Sequence, residues 1–248
     1  MLKTEYLEYQ DGDTVLEAYV AYDENAEAPQ PCVLVAHDWS GRREYACAGA
    51  EKMAELGYVG FALDIYGKGV FGKDGDTDGN AALMTPYVED RALLRRRMLA
   101  AFKAARRLSQ VDDDNIGAMG YCFGGMAVLE LARAGALVKG VASVHGLLGQ
   151  GAEHEDKIKS KVLVMHGHED PMAPPEQVAD LQKEMTDAGV DWQVHVFGNT
   201  KHAFTNPAAN NPDFGTVYSQ QASRRTDLAL ANFFNELFTE TPPLDVAP

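Results

Sequence analysis

The stretch GAMGYCFGGMAVLELA, residues 117–132, sets a cysteine, Cys122, between Gly120 and Gly124. A short apolar run precedes it and a helical pattern follows. A nucleophile on a sharp strand-to-helix turn sits in a strained backbone conformation, and the residues two positions either side must be small. Gly120 and Gly124 meet that requirement. The helix behind the turn aims unpaired N–H groups and its positive dipole end at the sulfur, which favours the thiolate. Cys32 falls inside an apolar run and Cys47 inside a helical one, so both read as small buried hydrophobes.

Working outward, short apolar runs recur at PCVLVAHD, YVGFALDIYG, NIGAMGYC, VKGVASVHG, KVLVMHGHED and DWQVHVFG. Each is short and β-branched enough for a buried parallel strand. Helical stretches alternate with them at Arg43–Leu56, Pro86–Ser109, Met126–Ala134, Pro175–Ala188 and Ser219–Phe238. Before the first run, TEYLEYQ and TVLEAYVAYD flank the turn residues DGD and read as an antiparallel hairpin. The pattern implies a single α/β domain over residues 1–248, with a mostly parallel sheet, an N-terminal antiparallel hairpin and helices on both faces. Gly67–Thr85 and Asn206–Tyr218 read as long loops, where function concentrates.

The net charge of −15 repels nucleic acid and anionic membrane surfaces. MLKTEYLEYQ lacks the features of a signal peptide and no apolar run approaches a membrane span, so a cytoplasmic protein is expected. Three cysteines at wide spacings, with no Cys/His cluster, suggest neither a disulfide framework nor a metal site. A homo-oligomer is compatible with the composition.

A cysteine nucleophile needs a base, and the base needs a group that fixes its tautomer. In an open α/β sheet ligands bind beyond the carboxyl ends of the strands. Asp170, in HGHEDP, and His202, in NTKHAF, lie there. The order Cys122, Asp170, His202 is the nucleophile, acid, base order of α/β-hydrolases. His145, His154, His166, His168 and His195 are competitors, but only His202 combines that order with a loop position. The oxyanion hole is expected from the backbone N–H of Phe123, after the nucleophile, and of Trp39, in the loop after VLVAHD.

These motifs, GYCFGG, HGHEDP and KHAF in order, resemble the dienelactone hydrolase family between about Pro31 and Phe238. The resemblance implies hydrolysis of a small-molecule ester or lactone without a cofactor, through a thioester acyl-enzyme. It also implies that Asp38, at the position of a family glutamate, partners the resting thiol. Where the family carries a carboxylate-binding arginine four residues after the histidine, this chain has Asn206, and the Gly67–Thr85 loop offers Lys68 and Lys73 but no arginine. An uncharged substrate is therefore expected. The alternatives are a dienelactone hydrolase proper acting on an anionic lactone, a peptidase using the same triad, and a redox-sensing or binding protein in which peroxide oxidises Cys122.

Three further motifs carry less weight. GKGVFGKD lacks the Ser/Thr that a phosphate loop needs after its lysine. DGDTDG alternates Asp74, Asp76 and Asp78 like a calcium loop, but its twelfth position is Thr85, and a solvated loop is expected. RALLRRRMLAAFKAARR interleaves arginines with apolar residues at helical spacing and reads as an exposed face above a buried one.

Overall fold

The first hairpin folds as its alternation requires. In the computed structural model, which describes residues 1–149 and 158–239, strand β1 (Leu2–Asp11) pairs antiparallel with β2 (Thr14–Asp23), from Leu2↔Asp23 to Asp11↔Thr14. Gly12 takes φ +58° at the first position of the two-residue turn, where a side chain would be strained. The chain continues through β3 (Gln30–Ala36), α1 (Glu44–Glu55), β4 (Val59–Leu63), α2 (Thr77–Glu89), α3 (Arg91–Ala105), β5 (Val111–Tyr121) and α4 (Phe123–Arg133). It closes with β6 (Gly140–Val144), β7 (Lys161–Gly167), α5 (Pro175–Asp187), β8 (Trp192–Phe197), the short β9 (Asn210–Asn211) and β10 (Thr216–Val217), and α6 (Gln220–Phe238).

Eight strands form one sheet in the order β1-β2-β4-β3-β5-β6-β7-β8. Strand β2 is antiparallel to both neighbours, and the pairs from β4–β3 to β7–β8 are parallel. Alternate residues of each strand feed opposite cores. Leu34 and Ala36 pack with Leu94 and Met98 of α3, Met126 of α4 and Leu181 of α5. Val33 and Val35 pack with Ala50 and Met53 of α1 and Phe233 and Phe234 of α6. The two layers bury the strands on both faces, which is why they read as continuous apolar runs. Among the described residues, no helix is long and apolar enough to cross a membrane.

Three expected segments fold differently. The single helix expected over Pro86–Ser109 is two, α2 and α3, separated at Asp90, whose side chain accepts from Leu93 N–H at 2.9 Å. Helix α2 begins at Thr77, inside the stretch read as a loop to Thr85. Its N-cap, Asp76, accepts from Gly79 N–H at 3.0 Å. Only Asn80 and Tyr87 of α2 are buried, so no apolar periodicity announced it. The same contacts divide the acidic triplet: Asp76 caps α2, Asp74 pairs with Arg43 at 2.6 Å, and Asp78 enters the first helical turn. The second long loop, Asn206–Tyr218, carries the β9–β10 ribbon. His154 lies outside the described residues.

Candidate active site

Six successive parallel strands end at one rim, and each delivers a polar residue there: His37 and Asp38 after β3, Asp64 after β4, Cys122 after β5, His145 after β6, Asp170 after β7 and His202 after β8. Cys122 is the N-cap residue of α4 with φ 55° and ψ −116°, a conformation a non-glycine residue adopts only when held. Its N–H donates to Val144 O at 3.1 Å, and its carbonyl accepts from the N–H groups of Gly125, Met126 and Leu147 at 2.9, 3.4 and 3.3 Å. The flanking glycines are sterically required: a Cβ on Gly120 would stand 2.1 Å from Gly124 O, and one on Gly124 2.2 Å from Ala36 O.

Across the rim, His202 Nδ1 lies 2.7 Å from Asp170 Oδ2, with both residues buried. Asp170 Oδ1 accepts from Met172 N–H at 2.8 Å, which fixes the carboxylate plane. With a carboxylate on Nδ1, that nitrogen carries the proton and Nε2 faces away from the acid. Nε2 is buried and has no directional hydrogen bond, although the Cys122 sulfur is close enough to act on the ring. Contacts of this kind are often poorly aligned before substrate binds. Burial alone lowers the pKa of His202, but the Cys122 sulfur, followed by the Asp170 hydrogen bond, outweighs it and lifts the pKa to about 10. The ring is therefore poised as imidazolium beside sulfur at neutral pH.

The N–H groups of Phe123 and Trp39 have no partner among the described residues. Trp39 O accepts from Tyr66 OH at 3.0 Å, and the Trp39 indole stacks on Phe214 at 5.8 Å. Beneath lie His37, Tyr66, Tyr87 and Phe123, with Tyr66 stacked on Phe123 at 5.9 Å. Ile65 N–H donates to His37 Nε2 at 3.2 Å, so His37 carries its proton on Nδ1 and donates to Asp38 O at 2.6 Å. Burial lowers its pKa, and it stays neutral as a brace between β3 and β4.

The Asp38 contact expected with the resting thiol takes another form. Asp38 Oδ1 accepts from Ser40 N–H at 2.8 Å and Ser40 Oγ at 2.6 Å, and the side chain forms no hydrogen bond to the Cys122 sulfur. One methylene shorter than glutamate, the carboxylate closes a local turn within its own loop. Asn206 Oδ1 is likewise turned onto its own loop, accepting from Ala208 N–H at 2.9 Å. Of the competing histidines, His195 lies within β8 and His168 follows β7. His166 is buried with neither ring nitrogen hydrogen-bonded, and its pKa is lowered by that burial.

His145, one of the competing histidines, packs its ring edge-to-face against His202 at 5.2 Å. Its Nε2 meets Thr205 Oγ1 at 2.8 Å. It directly follows β6, in VHG at residues 144–146, so the strand-end rule that selects Cys122 selects it too. Thr205, Tyr66 and Phe214 carried no comparable sequence signal.

The dienelactone hydrolase family model matches residues 16–238. A protein of Aquifex aeolicus named "Putative carboxymethylenebutenolidase" is 28% identical over 92% of this chain and 96% of its own length. A dienelactone hydrolase-like promiscuous phosphotriesterase from metagenomic libraries superimposes with a TM-score of 0.91 at 34% identity, covering 96% of this chain and 99% of that one. A structure named m3DLH gives the same TM-score at 33% identity, with 96% and 99% covered. By fold, chain order and family match, the chain is an α/β-hydrolase that belongs to the dienelactone hydrolase family.

Proposed function

We propose that the protein hydrolyses small, uncharged carboxylic esters or lactones by acyl transfer to Cys122. The observation that carries this reading is the convergence at one rim of a strained elbow cysteine and a buried histidine held at 2.7 Å by Asp170. The sulfur, as thiolate beside the His202 imidazolium, attacks the substrate carbonyl and forms a C–S bond. Charge moves to the carbonyl oxygen, where the Phe123 and Trp39 N–H groups receive it. Collapse breaks the C–O bond as His202 Nε2–H protonates the departing alkoxide, leaving a thioester and neutral imidazole. That imidazole then takes a proton from water, whose oxygen attacks the thioester carbon. Loss of sulfur as thiolate yields the carboxylic acid and restores the pair. A reducing, cytoplasmic setting suits a free thiol in this role.

The preference for a neutral substrate rests on charge. Asn206 supplies none, and in the loop that would bear the family's other arginine Lys68 is ion-paired to Glu8 and Glu17. An arginine holding a carboxylate contributes roughly 1.5–3 kcal/mol, about ten- to a hundredfold in affinity. We expect neutral esters to exceed isosteric carboxylate-bearing ones in kcat/KM, measured at two ionic strengths with Cys122→Ala as the blank. A tenfold or greater preference for the anion would refute this. A neutral phosphotriester belongs in the same screen, because the structural relative at 34% identity carries that activity in its name.

A further inference from the structure

Behind His202, a second hydrogen-bonded chain links three elements that the reaction does not use directly. Thr205 Oγ1 lies 2.6 Å from Tyr45 OH, on α1, and 2.8 Å from His145 Nε2, at the end of β6. A hydroxyl has one proton, so it donates to one neighbour and accepts from the other. Either direction ties all three together. The segment so tied is under strain: Ala203 has φ 56° and His145 φ 38°, both left-handed without being glycine. Such conformations persist only where their surroundings hold them. Phe204, fully buried, packs edge-on against His145 at 5.1 Å and Phe197 at 5.5 Å. The backbone of His202 is fixed from the other side, with its N–H on Gly215 O at 2.9 Å and its carbonyl accepting from Val217 N–H at 3.1 Å.

We propose that Thr205 is a positioning residue whose hydroxyl, bonded at once to Tyr45 and His145, clamps the loop bearing His202 so that its imidazole meets the Cys122 sulfur. The inference rests on the acyl-transfer reading above. His145 is suited to be the inner anchor because burial, reinforced by the neighbouring His202, keeps its pKa well below the usual histidine range. It therefore stays neutral against an imidazolium and does not compete for the proton. The groups that act on the sulfur–imidazole pair or border it are Asp170, His145, His166 and Tyr66, with Asp38 next to Tyr66, and Thr205 adds no charge to them. Its influence is geometric, and misplacement of a base by an ångström can lower turnover by about a hundredfold.

The test compares Thr205→Val, which keeps the shape and loses the hydroxyl, with Thr205→Ser, which keeps the hydroxyl, and with Tyr45→Phe. On a neutral ester, Thr205→Val should lower kcat about tenfold or more with KM within about twofold, because the loss falls on proton transfer and not on binding. The pH of half-maximal iodoacetamide labelling of Cys122 should rise by about half a unit or more, since the imidazolium that favours the reactive thiolate is displaced. Thr205→Ser should restore both readouts, and Tyr45→Phe should shift both in the direction of Thr205→Val, less far. If Thr205→Val does not fold, the contrast between Tyr45→Phe and Thr205→Ser decides. Folded variants with kcat within about twofold of wild type and an unmoved labelling profile, in an enzyme that Cys122→Ala inactivates, would overturn the clamp while leaving the acyl-transfer reading intact. Activity surviving Cys122→Ala would overturn both.

Discussion

Replacing Asp170 by Asn tests the candidate site at its most constrained bond. The carboxylate has two fixed duties: Oδ1 accepts from Met172 N–H at 2.8 Å, and Oδ2 meets His202 Nδ1 at 2.7 Å. An asparagine can keep the first only by placing its oxygen at Oδ1, which turns its NH₂ toward Nδ1. His202 must then accept there, and its proton moves to Nε2, the nitrogen that should receive one. The charge-assisted bond alone is worth about 1.5–3 kcal/mol. Both residues are nearly inaccessible to solvent, so screening does not reduce that figure. With the tautomer also reversed, turnover should fall on the order of 10⁴-fold, as when a triad aspartate becomes asparagine and the histidine takes the wrong tautomer. The assay is steady-state hydrolysis of a neutral ester together with iodoacetamide labelling across pH 5–9. The wild-type imidazolium persists up to a pKa of about 10 and supports labelling at low pH. In Asp170→Asn that support is lost, and the labelling profile should move to higher pH. A variant within threefold of wild type on kcat/KM, with an unchanged profile, would refute the assignment of Asp170 and with it the orientation of His202.

Asp38→Asn retains an acceptor for Ser40 and should leave the labelling profile of Cys122 on that of wild type. Asp38→Ala, which loses both accepted bonds, should cost roughly 1–2 kcal/mol, read as a fall of a few degrees in Tm. A displaced profile in Asp38→Asn would instead show the carboxylate acting on the sulfur. Chelation or added calcium should leave Tm unchanged, because Asp74, Asp76 and Asp78 are engaged separately as ion pair, helix cap and first-turn residue.

Much of this architecture was legible because it is written in periodicity. Buried parallel strands announce themselves as continuous apolar runs, and the polar residues just beyond each run are site candidates by topology. That logic points to Cys122 and, applied evenly, to His145, whereas Asp170 and His202 lie three and five residues past their strands and were selected by the nucleophile, acid, base order. It failed where structure rests on single polar contacts. The first nine residues of helix α2, 77–85, read as loop because the boundary depends on one Asp76 cap and the helix buries only Asn80 and Tyr87. The roles of Asp38 and Asn206 depend on which of several nearby N–H groups each side chain reaches, and spacing does not encode that. Thr205 is one threonine among many until the fold brings Tyr45, 160 residues away in the chain, to its hydroxyl.

The elbow itself has a consequence for what the scaffold can become. Everything that holds residue 122 in its strained conformation is backbone or glycine: the Val144 carbonyl, three N–H groups on its own carbonyl, and the bare Cα atoms of Gly120 and Gly124. None of these restraints touches the sulfur. The turn is thus built by its neighbours and is indifferent to its occupant, while the conformation surrenders about 1–3 kcal/mol of stability. That sacrifice is inherited with the fold, whichever nucleophile sits there. Selection can therefore exchange the reactive atom in a single substitution and leave the geometry untouched, so the chemistry of such a protein can diverge far faster than its shape.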